Sequence, residues 1–197
     1  MNYPENVDIV DLAPAPFNNS RDALVYARTH GIIGVMSNTD TGGKGEISIS
    51  VRSLDKMLSG SAVGKSVTPV IHYAAIVRLR DIIRESFIAE RHQDFLKGAD
   101  GRRSPANGVN DRVEIIVLYG CVSIGGIPFR AKTTLKAHKD TAQPTKAYSY
   151  EISKVEVLKG NAEYVIQPND KTPTFATSIL LQGVRAVNGE FLLKLNA

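Results

Sequence analysis

Apolar and polar residues alternate strictly along Glu46–Val51, with Ile47, Ile49 and Val51 set against Glu46, Ser48 and Ser50. Period two predicts a strand with one buried and one wetted face. The turn signal Asn38-Thr39-Asp40-Thr41-Gly42-Gly43 precedes it. Farther along, the period changes. Ile71, Ala75, Leu79, Ile82 and Ser86 recur at helical spacing, as do Ile76, Leu79, Ile83 and Phe87. They predict one long helix from Ile71 to about Glu90, with Pro69 suited to its first turn. Val113 to Tyr119 is nearly all apolar, which predicts a central strand. Ile124-Gly125-Gly126-Ile127 reads as a hairpin turn, because paired glycines supply the positive φ angles it needs. Next, Phe129, Ala131, Thr133 and Leu135 alternate with Arg130, Lys132, Thr134 and Lys136. Tyr148, Tyr150 and Ile152 alternate with Ser149, Glu151 and Ser153.

The flanks are less regular. Pro4, Pro14, Pro16, Asn18 and Asn19 make residues 1–20 an irregular arm. Ser20 is placed to cap a helix over Arg21–Thr29 that Gly31 stops, and Arg52–Leu58 reads as a short helix. Near the other end, Asn188-Gly189 predicts a hairpin turn between Leu180–Val187 and Phe191–Leu195. The expected architecture is α+β: one main helix packed on a mostly antiparallel sheet of four or five strands. That core occupies residues 21–160, and residues 161–197 form an extension with a hairpin appendage.

Composition narrows the function classes. A chain of 197 residues with 43% hydrophobic and 22% charged residues suits one globular domain with extensions. The net charge of +4 permits a phosphate-rich partner without demanding one. The single cysteine, Cys121, excludes an internal disulfide and a cysteine-rich zinc cluster. It reads as a buried structural residue. Met1 to Val10 carries Glu5 and Asp8 and lacks a signal-segment pattern, and no apolar run approaches the about 18 residues that span a bilayer. A cytoplasmic protein without membrane contact is expected. His30, His72, His92 and His138 show no metal-ligand spacing, so no metal or other cofactor is expected.

Candidate chemistry lies in four places. Gly60-Ser61-Ala62-Val63-Gly64-Lys65-Ser66 has three residues between its glycines where a phosphate-binding loop needs four. Lys65 and Ser66 remain available to a phosphate without an NTPase loop. His72 lies near the start of the main helix, whose dipole favours a neutral imidazole. It is either a packing or capping residue or an acid–base group. Residues 97–110 form a glycine-bearing basic loop with Arg102 and Arg103. Finally, Arg130, Lys132 and Thr134 share one side of a strand, with Ser149 and Glu151 as the matching outward residues on the next. A carboxylate beside two cations suits deprotonation of a ribose 2′-hydroxyl, the cations steadying the phosphorane and a histidine protonating the leaving oxygen. The plainer reading is a solvated face carrying cross-strand ion pairs.

From about Ala23 to Leu158 the chain resembles the third type of large polyvalent protein-associated domain, found in phage and mobile-element polyvalent proteins. The matching residues are Ser37–Gly42, Glu46–Ser50, His72–Ile76, Gly126–Lys136 and Tyr148–Ile152. The resemblance implies a plan similar to the barnase–EndoU–colicin–RelE group of metal-independent ribonucleases. Two functions follow as expectations. One is RNA cleavage, with Glu151 as base, Arg130 and Lys132 as phosphate clamp, and His72 as acid. Lys65, Arg102, Arg103 and Thr134 would add nucleic-acid contacts. The other is a non-catalytic accessory module of a phage or conjugative element that binds protein or nucleic acid.

Overall fold

The computed structural model describes residues 8–38, 46–96, 108–139, 144–154, 181–187 and 190–195. The chain opens with β1 (Ile9–Asp11), α1 (Ser20–Thr29), β2 (Gly34–Ser37) and β3 (Glu46–Ile49). Four short helices follow: α2 (Val51–Met57), α3 (Gly60–Val63), α4 (Pro69–Val77) and α5 (Leu79–Arg84). The long strands come next: β4 (Phe87–Phe95), β5 (Val109–Ile124), β6 (Ile127–His138) and β7 (Thr145–Lys154). β8 (Leu181–Val187) and β9 (Glu190–Leu195) pair as a separate antiparallel hairpin. The expected turn between them, Asn188-Gly189, lies outside the described residues, as do Thr39–Gly43 of the earlier turn.

This architecture corrects the expected one. Seven strands form a mixed sheet in the order β1-β5-β6-β7-β3-β2, with β4 also paired to β5, and the sheet curls into a half-barrel. Two of its pairings, β1 with β5 and β3 with β7, are parallel. Strand outweighs helix, 45% to 30%, so the protein is not one main helix on a four- or five-stranded antiparallel sheet. The anticipated helix over residues 71–90 is divided. It breaks at Arg78, whose backbone (φ −110°, ψ 17°) leaves the helical region, and α5 ends at Arg84. Residues from Phe87 onward pair with β5 instead. The end of α5 is fixed from a distance: the Asn38 amide donates to the carbonyls of Ile83 and Ser86, and Ser86 Oγ donates to that of Ile82. Those carbonyls need partners once the helix stops, and a residue 45 positions away supplies one.

β5 is central, as its apolar run predicts. β6 lies along one edge from Val113 to Ile124. The other edge is shared in succession by β4, along Val109–Tyr119, and β1, along Cys121–Ser123. Ile9–Asp11, expected to be irregular, is therefore part of the sheet, and Val10 and Leu12 enter the core. Leu12 N–H donates to Ser123 O (2.8 Å), and Ser123 Oγ donates to the Asp11 carboxylate. The Gly125-Gly126 turn closes the β5–β6 hairpin with φ of 57° and 80°. Asn19, rather than Ser20, caps α1 by accepting from Asp22 N–H. No helix of the described residues is long and apolar enough to cross a membrane.

Among the described residues the helices pack on one face of the sheet. Ile116, Leu118 and Val122 of β5, Ala131 and Leu135 of β6, and Tyr150 and Ile152 of β7 join α1, α2, α4 and α5 in the core. At Gly120 the two layers lie close: an added Cβ would run into Ser86 Oγ and lie 3.3 Å from Ile82 O. Gly120→Ala is expected to cost about 1–3 kcal/mol, because Ser86 must give up its bond to Ile82 O or α5 must shift to admit one methyl group. A urea midpoint equal to that of the wild type would show that α5 packs less tightly against β5.

Candidate nucleic-acid interface on the outer sheet face

Register decides what shares the face turned away from the helices. Along β6 the outward residues are Arg130, Lys132, Thr134 and Lys136. Their β7 partners are Ser153, Glu151, Ser149 and Lys146. On the β5 side they face Cys121, Tyr119, Val117 and Ile115. None of these last four belongs to the core packed under the helices, yet all are buried.

The charges are threaded together. The Arg130 guanidinium lies over the Tyr119 ring, 4.9 Å from its centroid, and its Nε donates to Ser153 Oγ at 3.2 Å. Lys132 Nζ is 3.8 Å from the Glu151 carboxylate, both side chains about one-third exposed. Tyr119 O–H donates to Glu90 at 3.4 Å. Burial chiefly raises the Tyr119 pKa; Glu90 and Glu151 raise it further, against the opposing pull of Arg130. The phenol is thus a proton donor and not a phenolate. Farther along, Lys136 Nζ bonds Asp94 at 2.7 Å and lies 4.6 Å from the centroid of Tyr148. Lys56, at the end of α2, lies 4.2 Å from the same centroid.

Of the residues expected to act together, Arg130, Lys132, Thr134 and Glu151 do share this face. His72 does not join them. It is fully buried on the helix side. Its ring stacks on Tyr150 at 4.3 Å, and Tyr150 points into the core while its neighbour Glu151 points outward. His72 Nε2–H donates to Met57 O (3.0 Å) and Nδ1 accepts from Ser66 Oγ (2.7 Å), which itself accepts from Ile152 N–H. Burial lowers its pKa from 6.5 to about 4, with the Met57 carbonyl working the other way. The imidazole is neutral, as expected, through desolvation more than through a helix dipole. The acid role assigned to His72 is therefore corrected: the sheet separates it from Glu151, and it is a packing residue whose two nitrogens are satisfied.

Lys65 is exposed in the loop that hydrogen-bonds to the β7 edge through Val67 N–H and Ile152 O, outside the cationic row. Ser66 is consumed by the His72 network. Arg102 and Arg103 lie outside the described residues. Cys121 is buried, and burial pushes its thiol pKa up to about 12, which suits a structural role. Among the described residues no histidine, cysteine and carboxylate group is arranged to hold a metal ion.

Several members of the face were not singled out from sequence. Tyr119 was hidden in a continuous apolar run. Lys136 already belonged to the polar alternation. Tyr148 was expected on the core face, but a register shift between Thr134 and Leu135 pairs Ala147 with Leu135 and leaves Tyr148 as the extra residue. Comparison of the chain with protein-family models, curated proteins and solved structures finds no match.

Proposed function

We propose that this protein binds single-stranded RNA across the outer face of β5–β6–β7 without cleaving it. One observation carries the reading: Arg130, Lys132 and Lys136 form a row on β6, with the half-buried Tyr148 ring beside it. Cations set along a strand track a phosphate backbone, and Tyr148 offers an unpaired base one aromatic surface, while the buried Tyr119 supports Arg130 from beneath. Thr134, Ser149 and Ser153 add hydroxyls that can bond phosphate or ribose. The ion pair of Lys132 with Glu151 is partly exposed and loose, worth less than about 1 kcal/mol, so a phosphate can displace it. A binding module of this kind fits the mobile-element setting that the sequence resemblance implies.

Cleavage is the second reading, supported by the Glu151 carboxylate beside Lys132. Glu151 would take the 2′-hydroxyl proton, and Lys132 and Arg130 would offset the phosphorane charge. It ranks below binding because His72, the expected proton donor, faces the opposite side.

The test is titration of a labelled single-stranded RNA in EDTA over a salt series, with the RNA examined for strand breaks afterwards. Three phosphate contacts predict a slope of log K on log salt of about −2. Intact RNA with that slope supports binding, and strand breaks support the second reading. No binding at low salt overturns both.

A further inference from the structure

We infer that the end of this face nearest α2 holds a site for a terminal phosphate monoester, built from Lys56, Lys136 and Lys146 around Tyr148. The inference takes the RNA-binding reading for the polymer and adds that a phosphorylated terminus is recognised.

Lys136 and Lys146 are directly opposite each other on β6 and β7. Like charges in that arrangement repel, so the pair needs a reason to persist. The β7 bulge places Tyr148 next to them, and Lys56 reaches the same ring from a different element. Two ammonium groups, of Lys56 and Lys136, therefore meet at one ring, and register sets Lys146 beside Lys136. Only Lys136 has a carboxylate, Asp94. Among the described residues none pairs with Lys56 or Lys146, and both are exposed. The last turn of α2 gives Lys56 a helix-dipole reason for its position. No such reason applies to Lys146. Among the described residues one carboxylate stands against three lysines, an excess of two positive charges. A phosphodiester carries one negative charge, whereas a monoester carries nearly two at neutral pH. Lysine ammoniums bind phosphate as point charges and ask for no fixed geometry, which suits flexible side chains from three elements.

The experiment uses the full chain and one short single-stranded RNA prepared with a 5′-phosphate, with a 3′-phosphate and with hydroxyls at both ends. AMP and inorganic phosphate serve as small-molecule probes. A terminal phosphate is expected to tighten binding about tenfold over the hydroxyl RNA. The double variant Lys56→Gln/Lys146→Gln is expected to lose that advantage while binding the hydroxyl RNA as the wild type does. Both substitutions are at exposed positions, and circular dichroism checks that the variant folds. Equal affinity for all three RNAs overturns the inference, as does an advantage that survives in the double variant. If no RNA binds but AMP or phosphate does, in a Lys56- and Lys146-dependent manner, the monoester site stands and the polymer reading falls. If all three RNAs bind but a terminal phosphate makes no difference, the polymer reading stands and the monoester site falls.

Discussion

Acidification from pH 7 to pH 4 is expected to remove about 3 kcal/mol of stability through His72 alone. In the folded protein its pKa lies at about 4, against 6.5 for an exposed imidazole. The unfolded chain therefore takes up a proton as the pH falls below 6.5, while the folded chain resists until about 4. Stability from this group is whole above pH 6.5, declines through the window, and levels off below 4. The size follows from the gap, each pH unit being worth about 1.4 kcal/mol. The structural cause is that both ring nitrogens are already committed, to Met57 O and Ser66 Oγ, inside the core. A second proton on Nδ1 would leave a buried charge facing the Ser66 hydroxyl. His72→Gln is expected to start about 2–4 kcal/mol lower at pH 7, because it leaves buried partners unsatisfied. Its urea midpoint should then stay nearly flat between pH 6.5 and 4.5, where that of the wild type declines. A flat wild-type curve, or an equally steep curve for the variant, would refute the assignment of this window to His72.

Removing the cations at the centre of the outer face should leave the fold and take most of the RNA affinity. For Arg130→Ala/Lys132→Ala the expected loss is about 10- to 100-fold at moderate salt, with the salt slope falling from about −2 to about −0.7 as two of three phosphate contacts go. The fold should give up only about 1–2 kcal/mol: one stacking contact with Tyr119 and one exposed pair with Glu151. Glu151→Gln separates the two functional readings. If the face only binds, deleting the carboxylate that competes for Lys132 should tighten RNA a few-fold. If Glu151 is a base, the same change should stop strand scission. An unchanged slope in the double variant would move the RNA elsewhere on the molecule.

Local patterning exposed the parts of this protein whose neighbours lie close in the chain. The β5–β6 hairpin is of that kind, since Gly125 and Gly126 specify the turn and the turn specifies the register. The cationic face of β6 follows from the same alternation. Features decided by distant partners were not legible. Helical spacing continues through Phe87, and nothing nearby announces that Asn38 ends α5 or that β5 recruits the next nine residues as β4. Continuous burial of His72 to Ile76 also removed the amphipathic stripe that would have marked a shorter helix. The site failed at two points for the same reason. Alternation cannot foresee a bulge, so Tyr148 was assigned to the wrong face. Helix periodicity cannot say on which side of a sheet a helix docks, so His72 was joined to Glu151 across a barrier of backbone.

The divided edge of β5 has a consequence for the order in which the molecule is built. β1 is paired with residues 112 positions later, in parallel, and only after β5 exists can that contact form. A closure over so long a loop comes late and rewards the chain little per residue. Until it happens, Cys121–Ser123 present unpaired backbone on an apolar strand, the kind of edge that another nascent copy can occupy. Three residues of β1, with the neighbouring Leu12 and Val10 as apolar anchors, thus cover this stretch of the β5 edge, and until they dock it is open to another copy.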